Sequence, residues 1–152
     1  MKGNDKIITA LNGLLADELT AINQYMVHSE MCDNWGYEKL HKAIEKRAID
    51  EMHHAEWLIQ RIIFLEGLPV VSKLNAIHIG ANVFDMVAND SESEVGAIHS
   101  YNNAITLGHE VEDQGTVLPE DLDEECRISE GRINQFREKK RFQRESSPIP
   151  EF

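Results

Sequence analysis

The fold is decided by residues 50–58, DEMHHAEWL. An acid, a methionine and two histidines stand here in a segment whose apolar residues recur at helical steps of three and four. Those steps place Glu51, Ala55 and Leu58 on one face, the face that a bundle helix buries. A buried ionised carboxylate is costly unless it is paired or its pKa shifts. The segment therefore predicts a buried helix whose polar residues have a chemical role.

Length and composition indicate a single soluble domain. A chain of 152 residues can bury one core, and 41% hydrophobic with 28% charged residues is typical of a globular protein. Nothing before Asn4 resembles a targeting signal and no stretch is apolar enough to span a membrane, so we expect a cytoplasmic protein. Cys32 and Cys126 are then reduced thiols. The net charge of −12 argues against nucleic acid and favours metal cations as partners.

Helical periodicity dominates the chain, and strand patterns are almost absent. The pattern predicts helices at about residues 4–34, 37–66 and 83–112 and a weaker fourth at about 119–143. A long connection containing Pro69 separates the second helix from the third. This order predicts an all-α four-helix bundle with a long crossover between helices 2 and 3, the topology of ferritin-like bundles.

The last part of the chain differs in charge. Residues 1–125 carry −15, whereas seven basic and four acidic residues from Cys126 onward give +3. The segment 144–152 contains two prolines and cannot continue a helix. We therefore expect one bundle domain at residues 1–143, with a divergent fourth helix, followed by an irregular tail.

Each of the first three helices has a glutamate in the middle of its apolar seam: Glu18, Glu51 and Glu94. A single acid on a helix is usually a solvated surface residue. Three ionised carboxylates at similar depth repel each other unless a cation lies between them, which favours a metal site. The other seam residues, helix by helix, are Leu11, Leu15, Ile22 and Tyr25; Ile44, Ala48, Ala55, Leu58, Ile62 and Leu65; and Phe84, Val87, Ser91, Ile98, Tyr101 and Ile105.

One histidine joins this set by its spacing. His54 follows Glu51 by three residues, so both side chains point to one helix face. Glu38 and His41 have the same spacing but are rotated away from the core, and we assign them to the surface. His53 is expected to face solvent or a partner. The histidines without a paired spacing are interpreted as ordinary polar residues: His28, His78, His99 and His109.

The donor set favours iron or manganese. Carboxylates with one neutral imidazole suit these metals better than zinc, which prefers tetrahedral nitrogen and sulfur sites. Dinuclear centres in bundles take one glutamate from each of two helices and a Glu-x-x-His pair from each of the other two. On that pattern Glu18 and Glu94 are the single ligands, and Glu94 bridges the two ions together with Glu51.

Three segments resemble the bacterioferritin family. LLADELTAINQY (14–25) is similar to its first helix, AIDEMHHAEWLIQRIIFLEGLP (48–69) to its second, and IGANVFDMVANDSESE (79–94) to the start of its third. The resemblance is nearly gapless from Met1 to about Thr116. It implies a soluble protein that oxidises Fe²⁺ with O₂ or H₂O₂ and stores ferric mineral in a shell of 24 subunits.

The resemblance also implies site residues. Glu18, Glu51, His54 and Glu94 fall on the family's metal ligands, and Tyr25 falls on a tyrosine beside its di-iron site. Tyr25, Glu51 and Glu94 are therefore the expected catalytic residues, with Glu51 and Glu94 bridging the two irons.

Met52 and Trp35 fall on two further family positions. The resemblance implies that Met52 binds the iron of haem b, shared with a second methionine across the two-fold axis of a homodimer. Without the family, a methionine beside a core-facing glutamate is adaptable packing at an interface. Trp35 falls on a tryptophan thought to move electrons.

The resemblance fails in the fourth helix, which in the family supplies a second Glu-x-x-His pair. Here Glu124 aligns with the glutamate and is a weak candidate ligand, while Arg127 aligns with the histidine. Arginine cannot bind a metal, because its guanidinium stays protonated. The second iron position is therefore expected to be impaired, whether by natural divergence or by a scrambled C-terminus.

Three functions remain open at this point. The first is an iron-oxidising storage subunit with a partly impaired centre. The second is a haem-binding shell subunit with little ferroxidase activity. The third is a structural helical protein without metal.

Overall fold

The computed structural model describes residues 2–111, which form three long helices and, within that range, no strand. Helix α1 spans Asp5–Asn34, α2 spans Glu38–Phe64 and α3 spans Val83–Glu110. The three predicted helices are confirmed, with ends that differ from the expected ones by two residues at most. None of these three helices has the length and apolarity that crossing a membrane requires.

Local signals set the helix ends. The Asn4 side chain accepts a hydrogen bond from the Lys6 amide at 2.9 Å, and Asn82 accepts one from the Asp85 amide at 3.0 Å. Both are N-cap interactions, which satisfy backbone N–H groups in the first helical turn that have no acceptor within the helix. After α1 the chain turns at Gly36, whose φ of 79° favours glycine.

Helix α1 packs against both α2 and α3. The apolar seams of α1 and α2 meet in the core, and the larger core cluster also takes in residues of α3. Burial of these side chains is the main stabilising contribution to the fold. The buried members of this cluster are Ile7, Leu11, Leu14, Leu15, Ala55, Leu58, Ile62, Leu65, Tyr101 and Ala104.

The predicted seam of α3 is wrong in its first turns. Phe84 is 70% exposed, whereas Met86 and Asp90 are buried. The physical reason is polar: the Gln24 amide donates to Asp90 Oδ1 at 2.9 Å, which turns this face of α3 toward α1. Met86, Asp90 and Glu94 are spaced four residues apart and form the face that α3 buries in its first half.

The crossover between α2 and α3 is attached to α1 by hydrogen bonds. The backbone amide of Asn75 donates to Thr20 Oγ1 at 2.8 Å, and the backbone amide of His78 donates to Gln24 Oε1 at 3.0 Å. The Gly80 amide donates to Nε2 of His28 at 3.0 Å. These contacts hold the crossover along the first helix.

His28, which the sequence analysis interprets as an ordinary polar residue, has a larger structural role. Its side chain is fully buried, and its Nδ1 lies 2.8 Å from Asp90 Oδ1. Because Nε2 accepts the Gly80 amide, the ring proton sits on Nδ1 and is donated to Asp90. His28 therefore links the first helix, the crossover and the third helix.

Several predictions lie outside the described residues. They are the fourth helix at 119–143, the tail at 144–152, Cys126, and the alignment of Glu124 and Arg127 with the family's last ligand pair. They remain predictions.

Candidate metal centre

Two helices bring three metal-binding side chains together in the bundle interior. Glu18 of α1 and Glu51 and His54 of α2 are 5%, 3% and 9% exposed. One ligand atom from each lies within 4.8 Å of the other two. His54 Nδ1 is 2.7 Å from Glu51 Oε2 and 3.9 Å from Glu18 Oε1. We call Glu18, Glu51 and His54 the metal group.

The spacing within the metal group fits one divalent cation. Ligand atoms about 2.0–2.2 Å from a common ion lie about 3 Å from each other when they are adjacent. The distances from His54 Nδ1 to the two carboxylates bracket that value. Two carboxylates and an imidazole are also the donors that suit iron.

Tyr101 orients the α1 ligand. Its hydroxyl donates to Glu18 Oε1 at 2.5 Å, and the tyrosine is 1% exposed. Tyr101 follows Glu94 by seven residues, so periodicity predicts that it lies in the α3 seam. There it is expected only to pack against other core residues. Its contact with Glu18 depends on how α1 and α3 are aligned, which periodicity does not specify.

Glu94 lies in a different set of contacts. It is 3% exposed, accepts a hydrogen bond from the Tyr25 hydroxyl at 2.7 Å, and forms an ion pair with the Arg47 guanidinium. Arg47 also stacks over the Tyr25 ring, with its Cζ 4.9 Å from the ring centre. Within residues 2–111, Glu94 does not join the group whose ligand atoms all lie within 4.8 Å of one another.

Arg47 is the site residue that the sequence reasoning missed. It precedes Glu51 by four residues, so the two occupy one face of α2. That spacing was available in the sequence. However, arginine at such a position usually reaches solvent, and only the packed structure shows that it turns inward to Glu94.

A cleft reaches the centre from the side of the crossover. Its volume is about 260 Å³, and its lining includes Tyr25, Glu51 and Glu94. Asp17 and Glu92 also line it. Burial raises the pKa of Asp17, against the opposing effects of hydrogen bonds with Ser100 and Asn75 and the charge of Lys73.

Met52 and His53 lie on the outer side of α2, as their rotation from Glu51 predicts. Met52 is 53% exposed, and Ile49, one turn earlier, is 47% exposed. The His53 side chain is 71% exposed and lies 3.9 Å from Glu56. A soft thioether therefore stands beside an exposed apolar residue.

Glu38 is a surface residue paired with Lys42, as predicted. The surface assignment of His41 is wrong: it is half-buried, with its Nδ1 2.9 Å from Ser29 Oγ. Trp35 caps the end of α1 and is 38% exposed.

Comparison with known proteins agrees with this architecture. Residues 8–118 match the ferritin family, described as a ferritin-like domain. Over 105 residues the chain is 44% identical to the bacterial ferritin of Paramagnetospirillum magnetotacticum, a match that covers 69% of this chain and 64% of that one. It is 42% identical to the bacterioferritin of Brucella melitensis over 104 residues, or 68% and 65% of the two chains.

A third relative is matched over a longer segment. The bacterioferritin of Mycolicibacterium paratuberculosis is 38% identical over 116 residues, which is 76% of this chain and 73% of that one. The fold is thus that of a ferritin-like helical protein. The chain belongs to the bacterioferritins within that family. Its match spans just under two thirds of the length of the first two relatives.

Proposed function

We propose that the protein binds and oxidises ferrous iron and stores the ferric product. The observation that carries the proposal is the convergence of Glu18, Glu51 and His54 in a buried site. Three such groups are costly in a core unless a cation compensates them. Relatives named bacterial ferritin and bacterioferritin support the same function.

In this proposal Glu18 and His54 would hold one Fe²⁺, and Glu51 and Glu94 would bridge it to a second. Each Fe²⁺ gives up one electron, and O₂ or H₂O₂ accepts the electrons. Tyr25, hydrogen-bonded to Glu94 at 2.7 Å, is placed to stabilise that carboxylate or to donate an electron. Glu124 is a further candidate ligand, and Arg127 in place of a histidine impairs the second position.

Haem b is the second group in the proposal. Two Met52 thioethers related by a two-fold axis would bind its iron and hold it between the subunits of a homodimer. An exposed methionine beside an exposed isoleucine fits the edge of an apolar macrocycle. Bound haem would supply an electron-transfer group, and a 24-subunit shell in the cytoplasm would hold the mineral.

The alternative function is a haem-binding shell subunit that oxidises little iron. The ion pair between Arg47 and Glu94 favours it, because a carboxylate that neutralises a guanidinium is less available to a metal. The two functions differ in one measurement. The alternative requires haem binding with slow iron oxidation, whereas the main proposal requires oxidation that depends on the metal group.

Stopped-flow oxidation of Fe²⁺ tests the proposal with two adjacent histidines. His54→Ala removes a ligand, and His53→Ala removes an exposed imidazole from the same helix as a matched control. We expect His54→Ala to slow oxidation by at least about tenfold, because losing even an outer partner of a metal ligand costs that much. Equal rates in the two variants would contradict the proposal. A fast phase consuming two Fe²⁺ per subunit would contradict the impaired second position.

A further inference from the structure

Arg47 brings a positive charge into the interior beside the metal group. Its guanidinium contacts Glu94 Oε1, approaches the Tyr25 hydroxyl at 3.4 Å and stacks over that ring. The Arg47 side chain is 17% exposed, whereas that of Glu94 is 3% exposed. The Glu94 carboxylate is therefore the more deeply buried member of the pair, and the Arg47 side chain is partly exposed.

A guanidinium and a divalent metal compete for the same carboxylate oxygens. Both are cations that gain from a buried anion, and an oxygen that accepts a charged hydrogen bond has fewer lone pairs to offer a metal. Metal binding through Glu94 therefore requires this ion pair to be broken or weakened. Arg47 is the less buried member of the pair, so in our proposal it is the guanidinium that moves away.

We propose that Arg47 is a displaceable internal counter-ion that occupies Glu94 in the metal-free protein and thereby lowers the affinity of the centre for divalent metal. The inference rests on the proposed function, since it concerns metal binding at the same centre. It assigns Arg47 a positioning role that acts through Glu94. Because Arg47 precedes Glu51 by one helical turn, its release also changes the charge beside that ligand.

A double-mutant cycle separates this role from a general charge effect. Arg47→Gln is made in the wild-type background and in the Glu94→Gln background, and Co²⁺ binding to the full chain is measured by calorimetry without oxygen. Lys46→Gln is the matched control, since it removes the same charge from the adjacent residue, whose side chain is 79% exposed.

We expect Arg47→Gln to tighten Co²⁺ binding by at least about tenfold, the size of one hydrogen bond to a charged group. We expect Lys46→Gln to change it little, and Arg47→Gln to have no effect once Glu94 is Gln. Equal affinities of wild type and Arg47→Gln would overturn the inference. The same gain in the Glu94→Gln background would also overturn it, because Arg47 would then act without Glu94.

Two further variants distinguish failure of the inference about Arg47 from failure of the proposed metal site. Arg47→Lys retains the positive charge that neutralises Glu94 on folding, but it loses the planar arrangement of hydrogen-bond donors of a guanidinium. We therefore expect this variant to tighten Co²⁺ binding to an intermediate degree. Should Arg47→Gln fail to fold, Arg47→Lys decides the question, and unchanged affinity overturns the inference. His54→Ala tests the proposed function separately: wild-type Co²⁺ affinity in this variant would contradict the site itself. Absence of Co²⁺ binding in every variant would overturn both.

Discussion

The Tyr101 hydroxyl donates a 2.5 Å hydrogen bond to Glu18 Oε1, joining α3 to α1 beside the metal group. Both side chains are buried, so water does not replace this contact readily. The hydrogen bond fixes the orientation of a carboxylate that contributes to the candidate site. Tyr101 thus supports a ligand without contributing a metal-binding atom of its own.

Tyr101→Phe should weaken Co²⁺ binding by about 10- to 100-fold, because outer hydrogen bonds orient metal ligands. Calorimetric titration of the full chain measures the change. Tyr37→Phe is the matched control, since Tyr37 is 53% exposed. Indistinguishable affinities of the two variants would show that Glu18 needs no support from Tyr101.

Gly80→Ala should destabilise the protein by about 1–3 kcal/mol through overpacking. A Cβ at Gly80 would lie 2.2 Å from the Met86 backbone nitrogen, while the Gly80 amide donates to His28. Gly96→Ala is the control, because among residues 2–111 a Cβ there meets no heavy atom within 4 Å. In the interior of α3 it should stabilise by about 0.5–1 kcal/mol. Urea denaturation measures both, and equal stabilities would contradict the close approach of the crossover to α3.

In the Cys32→Ala variant, the free energy of unfolding should fall less steeply with rising pH in the alkaline range than it does in the wild type. Burial, followed by the charge of Asp90, raises the pKa of the Cys32 thiol above its ordinary value of 9.0. The folded protein then keeps a proton that the unfolded chain releases, so this contribution is full below pH 9.0 and is lost as pH rises through the raised pKa. Urea midpoints over this range measure the effect. Parallel curves for wild type and Cys32→Ala would contradict it.

Met52→Leu should abolish the absorption of bound haem while leaving the helices intact. Leucine has a similar volume but no sulfur to bind iron. Met26→Leu is the control, since Met26 is 55% exposed on α1. Haem titration followed by absorbance, with circular dichroism for the fold, measures both variants. Haem binding by Met52→Leu with unchanged spectrum and affinity would rule Met52 out as the ligand.

The sequence predicted the helices and the pairing of Glu51 with His54 because both depend on local spacing. Asn4 marks a helix start through a capping interaction within three residues. Glu51 and His54 meet because a helix turns every 3.6 residues. Glu18 was added because it interrupts the apolar seam of α1 at a depth similar to that of the glutamates in the other two seams.

The contacts that the sequence did not predict all join separate helices. His28 with Asp90, Tyr101 with Glu18 and Arg47 with Glu94 depend on the alignment of one helix against another. Phe84 was misplaced for the same reason, because a polar contact between α1 and α3 decides which face of α3 is buried. Periodicity alone specifies neither the partner of a helix nor, where polar residues are buried as in α3, the face that it buries.

The position of a bound ion tests the central claim most directly. Crystals of the full chain grown with Co²⁺ and measured at the cobalt absorption edge would show where the metal lies. We predict an anomalous peak about 2.0–2.2 Å from carboxylate oxygens of Glu18 and Glu51 and from a ring nitrogen of His54. A map with no peak between these three side chains, and His54 still hydrogen-bonded to Glu51, would contradict the account.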